Sequence, residues 1–339
     1  MKVLSLFDGI SCARVALERA GIKVRDYYAL EIDKYAIQIS QKNYPLILQL
    51  GDVKKYHYCG NKGEFDLLIG GSPCQDLSIA KRNRKGLDGE RSGLFWEYVR
   101  ILKETKPKYF ILENVASMHK DAQDLITKTL GVEPIMINAA LVSAQQRKRL
   151  FWTNIQNVTQ PEDREVYLKD ILEKGYTERT KSLAVTATYS HGCAKDYFVK
   201  SSRQMIFNKP VRVAQIGKGG QGDRIYSIKG KSVALSAHGG GRGAKTGLYI
   251  IQKARGNNKG GIRAIDGKTP TLTSSSWEFN NKLFKDGVIR KLSPIETERL
   301  QGLPDNYTEG VSNTQRYICC GNAFNVDVVA HILSFIPRL

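Results

Sequence analysis

Between Val3 and Thr153, short apolar runs alternate with stretches of helical periodicity, and that alternation restricts the chain to one architecture. Val3-Leu4-Ser5-Leu6-Phe7 reads as a strand, residues 13–20 as a helix, 27–32 as a strand and 34–43 as a helix. Further strands are expected at 66–69, 109–113 and 150–153, with a helix around 94–103. Strands separated by helices pair in parallel and need cover on both faces, so the expectation is an α/β fold: a doubly wound, mostly parallel sheet. Trp96 and Trp152 fall inside these elements and read as packing residues.

The texture changes near residue 177. Gly, Lys, Ser and Thr dominate, with short β-like pieces such as Arg224-Ile225-Tyr226-Ser227 and Pro270-Thr271-Leu272-Thr273. Helical periodicity returns at Ser293-Pro294-Ile295-Glu296, a helix start with proline at its first position, and again over 324–335. The chain is therefore expected to divide into 1–176, an inserted basic, β- and loop-rich domain at 177–286, and a segment at 287–339 that returns to the first part.

Charge says what the insert is for. The chain of 339 residues carries a formal charge of +19, and residues 200–291 hold nineteen Lys and Arg against four Asp and Glu, so +15 of the net lies there. A surface of that kind wants a polyanion, and nucleic acid is the usual one. No apolar run is long enough to span a bilayer and Asp8 interrupts the N-terminus too early for a secretory signal, so a cytoplasmic location is expected. Six cysteines (Cys12, Cys59, Cys74, Cys193, Cys319 and Cys320) lack paired C-x-x-C spacing, and His191 and His238 lack a ligand cluster. Neither a disulfide framework nor a metal site is expected.

In a doubly wound sheet, ligands bind beyond the carboxyl ends of the strands. Phe7-Asp8-Gly9-Ile10-Ser11 follows the first strand, Glu31 ends the second, and Gly51-Asp52-Val53 lies beyond a third. A dinucleotide would require G-x-G-x-x-G at the first turn, where only Gly9 stands. A nucleoside without phosphates fits better, with Phe7 facing a base, Glu31 on ribose hydroxyls and Asp52 near the base edge; S-adenosyl-L-methionine is such a ligand.

On the same edge lies Gly70-Gly71-Ser72-Pro73-Cys74-Gln75. Pro73 restricts its own φ and the conformation of Ser72, which fixes the direction of the thiol, and Lys81, Arg82, Arg84 and Lys85 favour the thiolate. Another strand ends at Glu113, a carboxyl able to give a proton or hydrogen bond to a neutral heterocycle. Gln145, Arg147 and Arg149 share one face of an extended strand and are expected to point together into the cleft. These groups suit one reaction. A thiolate adding at carbon 6 of cytosine, with N3 protonated, turns the ring into an enamine whose carbon 5 accepts a methyl group. Cys74 is then the nucleophile, Glu113 the partner of N3, and Arg149, with Arg147 behind it, the stabiliser of charge on the carbonyl oxygen.

Five motifs in order, Pro73-Cys74-Gln75, Glu113-Asn114-Val115, Gln145-x-Arg147-x-Arg149, Arg299-Leu300-Gln301-Gly302-Leu303-Pro304 and Gly321-Asn322-Ala323, resemble those of the DNA (cytosine-5) methyltransferases. The resemblance runs from Val3 to about Val329. It implies a Rossmann-like S-adenosylmethionine-dependent methyltransferase fold whose inserted domain recognises the DNA target, with S-adenosyl-L-homocysteine as product. It also implies a cofactor pocket of Phe7, Asp8, Gly9, Ile10, Ser11, Glu31, Ile32, Asp52, Val53, Pro73, Leu94, Asn322 and Ala323. Residues 217–227 and 235–241 are similar to the two recognition loops of bacterial members that methylate GCGC. By that likeness Gln221 enters the space of the flipped cytosine and Arg224 bonds a guanine edge, with Gln75, Ser78, Lys81, Ser236, His238 and Gly240 also on the DNA. Three features depart from the pattern. Ser11-Cys12 stands where many members carry Gly-Gly, Ala234 and His238 replace a hydroxyl and a tyrosine of the second recognition loop, and residues 253–285 add a basic stretch.

The implied partner is double-stranded DNA, read by a monomer, with a cognate restriction endonuclease that need not bind. Two rivals share the fold: a transfer-RNA cytosine-5 methyltransferase, which the large basic insert argues against, and a catalytically idle DNA-binding relative, for which Cys74 is needless.

Overall fold

The computed structural model describes residues 1–72, 94–175, 177, 179–191, 203–207, 214–215, 224–225, 249–252, 261–264, 282–284 and 289–337. They form two compact units. One comprises Met1–Ile171, Ala184–Ser190 and Pro294–Leu339, the other Leu172–Leu183 and His191–Ser293.

In the first unit the chain runs β1 (Lys2–Leu6), α1 (Cys12–Arg19), β2 (Asp26–Leu30), α2 (Lys34–Asn43), β3 (Leu48–Gln49), β4 (Leu67–Gly70), α3 (Leu94–Thr105), β5 (Tyr109–Val115), α4 (Lys120–Leu130), β6 (Ile135–Asn138), β7 (Gln145–Gln146) and β8 (Lys148–Thr153). Seven strands make one sheet in the order β3-β2-β1-β4-β5-β8-β6. The five from β3 to β5 are parallel, whereas β8 lies antiparallel to both β5 and β6. Only residues 139–147 join β6 to β8, too few for a crossover helix, so that pair closes antiparallel. Strand order reverses between β1 and β4, which places the ends of those two strands at the switch point.

Alternation along the strands sends side chains to opposite faces. Val3, Leu67, Ile69, Ile111 and Phe151 join one apolar cluster with α1, and Leu4, Leu6, Leu68, Leu112 and Trp152 join another with α3. Three helices complete the unit: α5 (Pro294–Leu300), α6 (Asn313–Asn322) and α7 (Val326–Leu333). All but one residue of α7 are buried, so it packs on α1 as a core helix, and the Asn325 side chain caps it by accepting from the Val328 N–H at 3.2 Å. Trp152 is fully buried, its indole donating to Thr127 Oγ1 at 2.9 Å. Trp96 corrects the packing expectation, because it is 44% exposed on the first turn of α3 while its neighbour Phe95 takes the core position.

The second unit is built of short antiparallel pieces. After β9 (Ser182–Leu183), β10 (Met205–Phe207) pairs with β16 (Ile289–Lys291) and β11 (Ala214–Gln215) with β12 (Arg224–Ile225). β13 (Tyr249–Gln252) sits between β14 (Gly261–Ala264) and β15 (Lys282–Phe284).

Candidate active site

Glu113 and Arg149 stand on neighbouring antiparallel strands, where Val115 is the register partner of Arg149 and Glu113 that of Phe151. Their side chains meet diagonally, Arg149 Nε lying 2.7 Å from Glu113 Oε1 with both side chains under one-fifth exposed. Glu113, Arg147, Arg149 and Phe324 line one small pocket. The end of β4 passes beside it. A β-carbon at Gly71 would fall 2.8 Å from Phe324 Cε1 and 3.0 Å from Glu113 Oε2, so only glycine lets the chain approach the carboxylate this closely. Buried Asn114 then holds the next residue, its amide donating to Ser72 Oγ at 3.1 Å and Ser72 O at 3.3 Å. Sequence reasoning quoted Asn114 only as part of a motif. A polar residue at the buried end of a strand, next to the carboxylate, was the signal of a positioning role.

Gln145 and Arg147 do not share the disposition expected from one continuous strand. The ladder breaks at Arg147, between β7 and β8. Gln145, fully buried, donates to Leu300 O at 3.1 Å and accepts from the Val185 N–H at 2.8 Å. Arg147 is 5% exposed; its Nη1 donates to Val185 O at 3.0 Å and its Nη2 to Gly321 O at 3.0 Å and Ala323 O at 2.9 Å. This guanidinium is committed to three backbone carbonyls, two of them flanking Asn322, whereas that of Arg149 donates to the single carbonyl of Lys148 at 2.9 Å and faces Glu113. Close approach is needed there too, since a β-carbon on Gly321 would lie 2.3 Å from the backbone of Thr186 and Ala187.

The second group of residues gathers at the ends of β1, β2 and β3. Glu31 is fixed by three backbone donors: Gly9 N–H to Oε2 at 2.7 Å, and Ile32 and Asp33 N–H to Oε1 at 2.7 and 2.9 Å. Ile32 is 73% exposed beside it. Asp52 accepts from the Lys54 N–H at 2.9 Å, and the following segment is held by Arg100, which donates to Val53 O at 3.0 Å and Tyr56 O at 2.8 Å. Phe7 and Leu94 are half-buried and Asn322 is exposed. Asp8, Ile10, Ser11, Val53 and Ala323 are buried, which places their side chains beneath the turn surface. Burial also pushes the Asp8 carboxyl up to about 6, against the opposing effect of the hydrogen bonds from Ser11 and Tyr27.

This donor set suits S-adenosylmethionine. It offers a fixed carboxylate for a diol, an aromatic and an exposed aliphatic side chain for a base, and no glycine-rich pyrophosphate cradle. Pro73, Cys74, Gln75, Ser78, Lys81, Gln221, Ser236, His238 and Gly240 lie outside the described residues, and Arg224 is described only as backbone in β12. Among the described residues no three His, Cys, Asp or Glu side chains are grouped to hold a metal ion, and no helix is long and apolar enough to cross a membrane.

The family model of the C-5 cytosine-specific DNA methylases matches residues 1–338. The chain belongs to that family and is a DNA (cytosine-5) methyltransferase using S-adenosylmethionine, with a Rossmann-like methyltransferase fold. Among curated proteins it is 29% identical to the type II methyltransferase M.HhaI of Haemophilus parahaemolyticus, over 98% of this chain and 93% of that protein. It is 28% identical to the orphan methyltransferase M.SPRI of Bacillus phage SPR, over 98% and 96%. Among solved structures, the Entamoeba histolytica methyltransferase EhMeth shares the fold with a TM-score of 0.62 at 14% identity, covering 99% of this chain and 97% of the other.

Proposed function

We propose that the chain methylates carbon 5 of a flipped-out cytosine within a short duplex DNA sequence containing GC, through a transient bond between Cys74 and the base. The observation that carries this reading is the Glu113–Arg149 pair at 2.7 Å, set against Gly71 three residues before the thiol, with Ser72 held by Asn114. The Cys74 thiolate adds at carbon 6 while Glu113 donates to N3 and Arg149 neutralises charge on the carbonyl oxygen, which makes carbon 5 nucleophilic. Once carbon 5 is methylated, its proton leaves to water and the returning electron pair expels the thiolate.

Phe7, Gly9, Glu31, Ile32, Asp52, Pro73, Leu94 and Asn322 hold S-adenosylmethionine, with Asp8, Ile10, Ser11, Val53 and Ala323 supporting it from below. When bound, the cofactor supplies the methyl group through its sulfonium. Arg147 holds the segment carrying Asn322 and acts on the base only through that segment.

Residues 1–176 and 287–339 form the catalytic part in this reading, and residues 177–286 recognise the target. Gln221, Arg224, Ser236, His238 and Gly240 read the DNA from that domain, and Gln75, Ser78 and Lys81 approach it from the catalytic loop. Likeness of 217–227 and 235–241 to GCGC-reading loops supports the GC core, and the names of the type II relatives support a role beside a restriction endonuclease that need not bind. The enzyme acts as a cytoplasmic monomer without a metal.

Transfer of labelled methyl groups to duplex DNA and to transfer RNA, followed by bisulfite sequencing of the DNA, tests the assignment. Label in duplex cytosines of one GC-containing sequence is the expected result; label confined to transfer RNA contradicts it.

A further inference from the structure

The turn after β1 is bent by three left-handed residues at alternate positions, Phe7, Gly9 and Ser11, with φ of 56°, 59° and 60°. Glycine adopts that conformation freely; a residue with a β-carbon adopts it at a cost that the surroundings must offset. Ser11 also occupies the N-cap of α1 without capping it, since its hydroxyl makes no bond to the helix N–H groups. The hydroxyl turns inward. It donates to Asp8 Oδ2 at 2.5 Å and lies 2.6 Å from Ser40 Oγ on α2.

Because the single Ser11 hydrogen goes to the carboxylate, Ser40 must be the donor to Ser11, and Ser40 in turn accepts from Gln49 Nε2 at 3.3 Å. Tyr27 of β2 donates to the other carboxylate oxygen at 2.6 Å. A one-way chain of donors thus runs from Gln49 through Ser40 and Ser11 to Asp8. It ties β3, α2, the α1 turn and β1 together, with β2 joined through Tyr27. Asp8, Ser11, Ser40 and Tyr27 are all at most 5% exposed, so water does not compete for these bonds. Tyr307 adds a further tie, donating to Ile10 O at 2.8 Å.

We propose that this buried relay takes over the role of a glycine at position 11: it holds a serine left-handed and so fixes the turn on which Gly9 meets Glu31 and the cofactor binds. Ser11, Asp8 and Ser40 are accordingly positioning residues, and the inference rests on placing S-adenosylmethionine at Gly9, Glu31 and Asp52. Ser11→Ala keeps the β-carbon and loses the relay, which leaves the left-handed turn unsupported. Ser11→Gly loses the relay as well, but also loses the reason for needing it.

Calorimetric titration of the full chain with S-adenosylhomocysteine, alongside thermal melts, separates the possibilities without turnover. Ser11→Ala is expected to weaken binding about tenfold or more, the loss of about one to two buried hydrogen bonds, and Ser11→Gly to stay within about threefold of wild type. Ser40→Ala, away from the turn, should weaken it by a smaller factor and serves if Ser11→Ala does not fold. Affinity unchanged in both alanine variants, or equally poor in Ser11→Gly and Ser11→Ala, overturns the inference. Glu31→Ala tests the placement separately: affinity unchanged there removes the site itself, whereas a large loss in Glu31→Ala beside wild-type binding in Ser11→Ala removes only the relay.

Discussion

Replacing Arg147 by methionine removes three hydrogen bonds at once while keeping a side chain of comparable length in the buried space. Each bond from a charged donor to a carbonyl contributes about 1.5–3 kcal/mol, so the gross loss is about 4–9 kcal/mol. Part of it returns, because methionine no longer buries a charge whose effective desolvation costs several kcal/mol. A net loss of about 3 kcal/mol remains, which for a unit of this size corresponds to a melting temperature lower by about 6–12 °C. Lysine at the same position reaches fewer of the carbonyls of Val185, Gly321 and Ala323 and should recover about half. Arg149→Met leaves Glu113 without its partner in a mostly buried pair and should itself cost about 1–3 kcal/mol of stability, while lowering kcat about 10²–10³-fold. The assay is thermal melting paired with methyl transfer at saturating cofactor. If Arg147→Met melts like the wild type and loses as much kcat as Arg149→Met, its guanidinium works on the base and the division of labour drawn here is wrong.

Three further outcomes follow from the geometry. Asp8 titrates near 6 when folded and near 3.8 when unfolded, so the unfolded chain gives up its proton first, and stability falls as pH rises from about 4 to just above 6. Relative to Asp8→Asn, which does not titrate, the wild type should lose about 2 kcal/mol between pH 4.5 and 7.5 in urea melts; a pH-independent difference denies the raised carboxyl. Gly71→Ala drives a methyl into Phe324 and Glu113, and should lower kcat at least about tenfold with cofactor affinity near wild type; full activity would mean the carboxylate is not beside the β4 end. DNA affinity should fall about 10³–10⁵-fold between 50 and 200 mM salt if about six to ten phosphates are contacted, and a flat response would deny the basic insert its polyanion.

Legibility of the fold followed how far each element depends on its own residues. The bounds of α2 match the periodicity read over 34–43, and the central parallel strands are plain because apolar runs buried on both faces leave no polar alternation to confuse. Helix α4 and strand β6 escaped notice. In α4 only Ala122 and Ile126 are buried, too thin a stripe to register, and β6 lies at the sheet edge with Met136 45% exposed. Glu113 and Arg149 were legible as a strand-end carboxylate and an i, i+2 cation. The turning of Gln145 and Arg147 toward carbonyls was not, because Leu300, Gly321 and Ala323 lie more than 150 positions away in the chain. The relay at Asp8 was hidden although its members are near in sequence, because Tyr27, Ser40 and Gln49 are brought together only once the sheet has formed.

Incubation with a GC-containing duplex bearing 5-fluorocytosine at the target position, in the presence of S-adenosylmethionine, tests the central claim most directly. Fluorine at carbon 5 blocks the final elimination, so mass spectrometry should find the wild-type chain bonded to methylated DNA through Cys74, and no adduct with Cys74→Ser. A chain that methylates the ordinary duplex yet forms no adduct with the fluorinated one contradicts the account.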